Sequence, residues 1–174
     1  MTSQTTNKVV IGLGAVLGAA LICPSAGLRF NHTSSMPIGL WIDHPPGGHV
    51  YAVGDVVEVC PTVHAWERRY LAPGACPSSL EPMLKPVAAV AGDVVTVGPV
   101  GVTVNGKTVP DTAPMGHDSE GRPLQPYPAG RYTVAADQVW LLVPRPDSLD
   151  SRYLGPVPIR DIKGLASPLW VVAQ

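Results

Sequence analysis

The segment Asn31-His32-Thr33-Ser34-Ser35-Met36-Pro37-Ile38-Gly39 is the part of this 174-residue chain best suited to chemistry. A serine hydroxyl is a poor nucleophile until its rotamer is fixed and a base takes its proton. Pro37 stiffens the backbone two residues after Ser35. It also drives Met36 toward extended geometry. Gly39 permits a bend or a close backbone approach. Ser35 is therefore the candidate nucleophile.

A nucleophilic serine needs a base. His32 lies three residues from Ser35, too local for an ordinary triad. His44, His49, His64 and His117 fall in predicted turns, loops or the excursion between two cysteines, and they read as surface residues. Lys85 is different, because it stands alone between Pro82-Met83-Leu84 and an apolar run from Pro86 to Val90. One reading lays its stem along apolar surface and its amine in water. The other buries the amine, and desolvation then disfavours the charged form. To act near neutral pH its pKa must fall about three units from about 10.4, equivalent to roughly 4 kcal/mol. The neutral amine could then take the Ser35 proton and later pass it to a leaving amine.

A third cluster runs from Pro146 to Pro156 and gathers Asp147, Ser148, Asp150, Ser151, Arg152 and Tyr153. As a solvated turn it would do nothing. As part of a site, Ser148 could orient a neutral lysine amine, while Asp150 and Arg152 pin the loop as an ion pair.

Short strands must position these groups. Gly39 to Asp43 and Asp55 to Cys60 alternate as strands. Val63, Trp66 and Tyr70 recur at helical spacing, which predicts a short amphipathic helix between Cys60 and Cys76. Strands follow over Lys85 to Val90 and Val94 to Val97, turned by Ala91-Gly92-Asp93. Asn105-Gly106 inside Val102 to Val109 predicts a hairpin with a primed turn. Thr112 to Gly130 reads as a loop. Further strands are predicted over Arg131 to Ala135, Val139 to Val143 and Leu165 to Val172. The fold class is mostly β.

The apolar run of residues 9–28 carries no charged side chain and is long enough to cross a hydrocarbon core as a helix. It reads as an uncleaved anchor, with a short tail over 1–8 and an exported domain over 29–174. A cleaved signal peptide and a lipid-modified Cys23 are the alternatives. Lys8 on one side and Arg29 on the other give charge little say in orientation. Cys60 and Cys76 both lie beyond the anchor, so export to an oxidising compartment predicts a disulfide between them, against free thiols. The net charge of −1 and the absence of a basic stripe argue against nucleic acid, and the histidine and cysteine spacings against zinc. No cofactor is implied.

Four ordered blocks resemble the type I signal peptidase family, and most closely its conjugative-transfer, TraF-type branch. They are Asn31-x-Thr33-x-Ser35-Met36-Pro37-x-Gly39; Leu84-Lys85-x-Val87-Ala88 with Gly92-Asp93; Val104-Asn105-Gly106; and Ser148-x-Asp150-Ser151-Arg152-Tyr153-x-Gly155-Pro156-Val157. Met36-Pro37-Ile38-Gly39 favours that branch over housekeeping enzymes, and Ala91 replaces a frequent proline. The resemblance implies an antiparallel β fold with a hydrophobic edge near the membrane. It also implies a dyad of Ser35 and Lys85, with Ser148 placing the lysine and Asp150 and Arg152 holding the site. Thr33 and the Ser35 amide would then serve as oxyanion donors.

The activity implied is endopeptidase cleavage of an exported, pilin-like precursor with small residues before the cut, at the outer face of the cytoplasmic membrane. Hydrolysis and cyclisation of the product remain equally open. A general signal peptidase and a non-catalytic anchored scaffold of a secretion or conjugation machine are the competing readings.

Overall fold

The structure is a computed structural model that describes residues 27–63 and 67–172. The proposed tail, the anchor up to residue 26 and His64 to Trp66 lie outside the described residues. Among those described, no helix is long and apolar enough to cross a membrane. Leu28, the predicted last residue of the apolar run, is instead the first residue of a strand.

Eleven short strands are described, and every pairing between them is antiparallel. In chain order they are β1 (Leu28–Asn31), β2 (Gly39–His44), β3 (Val56–Val59), β4 (Met83–Ala89), β5 (Val94–Gly98), β6 (Gly101–Val104), β7 (Lys107–Val109), β8 (Gly130–Thr133), β9 (Gln138–Leu141), β10 (Val157–Pro158) and β11 (Ile162–Val171). Seven form one sheet in the order β1-β2-β11-β3-β4-β9-β10, and four form a second in the order β7-β6-β5-β8. Abundant Gly and Pro keep these strands short by punctuating them with turns.

The second sheet follows the predicted hairpin. Asn105 and Gly106 adopt φ of 50° and 78°, as a primed two-residue turn requires. The Asn105 side chain then donates to Asp93 Oδ1 at 2.8 Å and accepts from the Val94 amide at 2.9 Å. Asp93 Oδ2 accepts from the Val90 amide at 2.8 Å. Two of the sequence blocks thus interlock to join the turn after β4 to the turn after β6.

Strand β4 is common to all three apolar clusters. Leu84 packs with Met36, Trp41 and Ala166. Val87 joins Val57, Val59, Val139 and Leu141. Ala89, beyond a bulge, joins Val95, Val102 and Trp140 between the sheets. Near-continuous apolar sequence fits a strand covered on both faces. Lys85 lies within this strand, in register with Val57 of β3, and is 4% exposed. Snorkelling to solvent is therefore not what the lysine does.

Two predicted elements differ. The excursion between the cysteines contains a 3-10 turn, Glu67–Tyr70, whose buried member is Glu67 rather than an apolar stripe. His64 to Trp66, which the expected helix would include, lie outside the described residues, and the excursion is closed beyond the turn by a bridge between Pro73 and Leu80. The loop after β9 contains a short helix, Ser151–Leu154, which Asp150 caps by accepting from the Arg152 amide.

Cys60 and Cys76 form a disulfide across a separation of 16 residues. Closing a loop of that size contributes about 3 kcal/mol by restricting the unfolded chain. Replacing both cysteines by serine is expected to lower unfolding stability by about that amount in urea titrations. Non-reducing peptide maps of the parent protein should contain the linked Cys60 and Cys76 peptides.

Candidate active site

The serine loop is built around Asn31, the last residue of β1 and 8% exposed. Its side-chain amide donates to the carbonyls of Thr33 and Met36 at 2.9 Å and of Pro37 at 3.1 Å. Its carbonyl oxygen accepts from the Thr33 hydroxyl at 2.9 Å and the Thr33 amide at 3.3 Å. The buried Trp41 indole adds a bond to the Pro37 carbonyl at 3.0 Å. Met36, also buried, anchors the loop in the apolar cluster beneath it. One asparagine thus satisfies a turn that contains no regular backbone ladder.

The loop can close because Gly39 runs against β11. A Cβ at Gly39 would lie 2.3 Å from the Trp170 carbonyl oxygen, and φ there is +143°. Only glycine permits this approach. Ser35 emerges half-buried, with its hydroxyl 3.3 Å from that of Thr33.

Ser35 and Lys85 line one cavity of about 220 Å³, together with Thr33, Leu71, Met83 and Leu84. Lys85 Nζ donates to Ser148 Oγ at 3.1 Å, and Ser148 is 2% exposed. Burial drives the Lys85 pKa down to about 8; Asp150 and Asp147 oppose the shift, and Arg152 reinforces it. Asp150 and Arg152 act on the amine with opposite sign, and desolvation is the largest influence.

That pair is wholly buried. Arg152 meets Asp150 bidentately, with Nε–Oδ1 and Nη2–Oδ2 both at 2.9 Å. Its remaining hydrogens reach the carbonyls of Val143 at 2.6 Å and Asp111 at 2.9 Å. Asp150 also accepts from the Val143 amide at 3.0 Å, and Ser151 Oγ accepts from the Leu141 amide at 2.9 Å. The loop that carries Ser148 is therefore tied at several points to the end of β9.

Arg29 stands at another wall of the cavity and bonds Asp43 Oδ2 at 2.8 Å. It also pairs with buried Glu58. Gly164 and Ala166 of β11 stand opposite Glu58 and Asp43 in register, and a Cβ at Gly164 would lie 2.3 Å from the His44 carbonyl oxygen. Burial first, and Asp43 beside it, push the Glu58 carboxyl up to about 7 against the pull of Arg29.

Ser35, Lys85 and Thr33 thus line one cavity, Ser148 meets Lys85 from behind it, and Asp150 and Arg152 lie buried in the loop that carries Ser148. His32, His44, His49 and His117 are exposed, and none lines the cavity. Among the described residues, no group of three His, Cys, Asp or Glu side chains is placed to hold a metal ion. Sequence reasoning gave Asn31 no role beyond its place in the block, and it missed the Arg29, Asp43 and Glu58 cluster. Asn31 had a usable signal, since a buried asparagine at the mouth of a turn is a common backbone organiser.

The sequence profile described as signal peptidase, peptidase S26 matches residues 6–171. The chain belongs to that family. A probable conjugal transfer protein TraF of Sinorhizobium fredii (strain NBRC 101917 / NGR234) is 41% identical over 96% of this chain and 92% of its own. A plasmid transfer protein TraF of Escherichia coli is 39% identical, covering 88% and 89%. A conjugal transfer protein TraF of Agrobacterium fabrum (strain C58 / ATCC 33970) is 36% identical, covering 98% of each. A signal peptidase I from Enterococcus faecalis V583 aligns with 67% of this chain and 96% of its own at TM-score 0.36 and 18% identity, too loose a likeness to carry the fold. The chain thus falls in a family of signal peptidases of serine-protease type, and it is similar across nearly its whole length to conjugal transfer proteins.

Removing Asp150 from the S26 site would leave the Arg152 guanidinium buried without a counter-charge. Asp150→Ala is expected to destabilise the fold by roughly 3–5 kcal/mol in urea unfolding. The double change Asp150→Leu with Arg152→Met should cost distinctly less, since neither charge is then stranded.

Proposed function

We propose that this protein is a membrane-anchored serine endopeptidase that cleaves an exported precursor, most fittingly a conjugative pilin, through a Ser35–Lys85 dyad. The observation that carries the reading is the Lys85 amine, buried in an apolar strand, aimed by Ser148 and sharing a cavity with Ser35. A free lysine is almost fully protonated at neutral pH and cannot serve as a base. With its pKa near 8, about a tenth is neutral at pH 7.

On this reading the reaction runs in two stages. Lys85 Nζ takes the Ser35 hydroxyl proton as Oγ bonds to the scissile carbonyl carbon. The Ser35 amide and the Thr33 hydroxyl stabilise the oxyanion. To donate there, the Thr33 hydrogen must turn away from Asn31 Oδ1, which it faces in the resting structure at 2.9 Å. Collapse breaks the carbon–nitrogen bond, and the Lys85 ammonium protonates the departing amine. Water, or an amine of the substrate itself, next attacks the Ser35 ester, and its proton passes through Lys85 back to Ser35 Oγ. The products are a carboxylate with water and a cyclic or joined amide with an amine.

Location and partner rest on other features. The apolar run of residues 9–28 supports an anchor. Phe30, Leu40 and Trp170 stand in register across β1, β2 and β11, and Phe30 and Trp170 are 57% and 66% exposed. Ile38, Leu169 and Val172 extend this exposed apolar edge beside the serine loop. Such an edge suits the interface of the membrane that holds the anchor. The disulfide suits an oxidising, exported face. The conjugal-transfer relatives favour a precursor of the conjugation machine over general secretory substrates.

The test is full-length protein in detergent, incubated with a conjugative pilin precursor and followed by mass spectrometry. Ser35→Ala and Lys85→Ala should each lower cleavage by about a thousandfold or more while the thermal unfolding transition persists. Near-parental turnover in either variant would overturn the dyad.

The same assay has a pH signature. Burial lowers the Lys85 pKa, and the active form is the neutral amine, so rate must rise with pH. It should climb about tenfold per unit below about pH 7 and level off above about pH 9. A profile still climbing toward pH 10 would mean an exposed, unperturbed lysine.

A further inference from the structure

A second cavity, of about 340 Å³, opens beside the one that holds Ser35 and Lys85. The two share Ser34, Tyr70, Asp147 and Leu149 in their walls, so they form one continuous groove. Ser148 lines the second cavity but not the first, while Ser35 and Lys85 line the first but not the second. Since Lys85 Nζ donates to Ser148 Oγ, the amine stands at the boundary between them.

Acyl transfer divides a substrate at that boundary. The acyl half stays bonded to Ser35 Oγ and so occupies the cavity containing Ser35. The departing amine takes its proton from Lys85, so its chain must leave from within reach of Nζ. We infer that the second cavity is the subsite for the substrate residues that follow the scissile bond, and that it takes an apolar side chain from them. The inference rests on the Ser35–Lys85 reading. It also sets the approach of the next nucleophile, because whatever attacks the ester enters through the volume that the departing chain vacates.

The walls define the chemistry. Met115, Leu124, Leu149 and Tyr153 supply apolar surface. At the rim, Arg122 Nε bonds Asp118 Oδ2 at 2.5 Å and its Nη1 lies 3.1 Å from Glu120 Oε2, while Asp147 in the wall pairs with Arg145 at 3.1 Å, so each charge on the lining already has a counter-charge. Aromatic and aliphatic walls with a self-neutralised rim suit a bulky, uncharged side chain.

The cavity is also preformed. The segment from Gly116 to Leu124 doubles back on itself, with a bridge between His117 and Pro123 and the Leu124 amide on the Gly116 carbonyl at 2.9 Å. Asp118 fixes the turn by accepting from the amides of Glu120 at 3.0 Å and Arg122 at 2.8 Å. The segment then docks on the disulfide-braced excursion. The Arg122 guanidinium lies 4.9 Å from the centre of the Tyr70 ring, and its Nη1 donates to the Arg69 carbonyl at 3.1 Å. The Tyr70 hydroxyl bonds the Pro123 carbonyl. Two excursions from different parts of the chain thus meet over the groove and fix its far wall.

The test uses the full-length enzyme and internally quenched peptides spanning the junction mapped in the cleavage assay. The first residue after the cut is set to Ala, Leu, Phe or Asp, and separately the residue before the cut is varied. The parent enzyme should prefer Leu and Phe over Asp. Leu124→Trp, which fills the cavity, should lower kcat/KM for the Leu and Phe peptides by roughly tenfold or more, while the Ala peptide and the tolerance before the cut stay unchanged. Met115→Trp fills the same space from a different position and should act alike. Leu124→Ala should widen acceptance, and it supplies the answer if the tryptophan variants do not fold. A change confined to tolerance before the cut would place the cavity on the acyl side and overturn the inference. So would an unchanged profile in all folded variants. Cleavage that persists in Ser35→Ala would mark failure of the dyad instead, a distinct result.

Discussion

The buried bond between Asp150 and Arg152 is the constraint on which the rest of the site depends. A carboxylate and a guanidinium with no exposed side-chain surface are costly to desolvate. Here almost every hydrogen and lone pair is used, on Val143, Asp111 and the Arg152 amide. The pair does not serve chiefly as a source of stability. It fixes where the loop after β9 can lie, and that loop carries Ser148 to Lys85. Its two charges also act on Lys85 with opposite sign, and burial is the largest influence on the amine.

Lys85 shows how a strand can make a base. Its flanking residues belong to different apolar clusters, Leu84 beneath the serine loop and Val87 in the main core. A side chain at that position is enclosed except where it meets the cavity it shares with Ser35. Burial strips hydration from the ammonium form, and its amine donates to the Ser148 oxygen. The same enclosure orients the neutral form, since one N–H directed to Ser148 leaves the lone pair elsewhere. Stability and catalysis oppose each other at this residue, as is common where a pKa must be displaced.

The serine side follows another strategy. Its loop is short, exposed at Thr33 and Ser34, and has few backbone partners of its own. Asn31 supplies them from beneath, and Gly39 lets the return strand close against β11. The groove beyond is roofed by two excursions that are distant in sequence. One is braced by the Cys60–Cys76 disulfide and the other by the Asp118 turn. Their meeting at Tyr70, Arg122 and Pro123 turns two loops into one wall.

Much of this was legible in the sequence, where the signal is local. The Asn105-Gly106 turn, the alternation over β2 and β3, and the apolar run around Lys85 reflect backbone and burial preferences that a few residues express by themselves. The Ser35, Lys85 and Ser148 blocks were legible because each has an unusual local chemistry. Of the helix expected across Val63 to Leu71, the described residues contain one 3-10 turn, Glu67–Tyr70. Strand β1 was hidden because Leu28 continues the apolar run that precedes it. What only the tertiary structure decided are relations between distant residues. These are the 63-residue separation closed by Lys85 and Ser148, the role of Asn31 beneath the loop, and the approach of Asp43 and Glu58 across the small residues of β11. A sequence specifies which groups are able to meet. The desolvation that lowers the Lys85 pKa exists only once three clusters from eight strands and a pinned loop have closed around it.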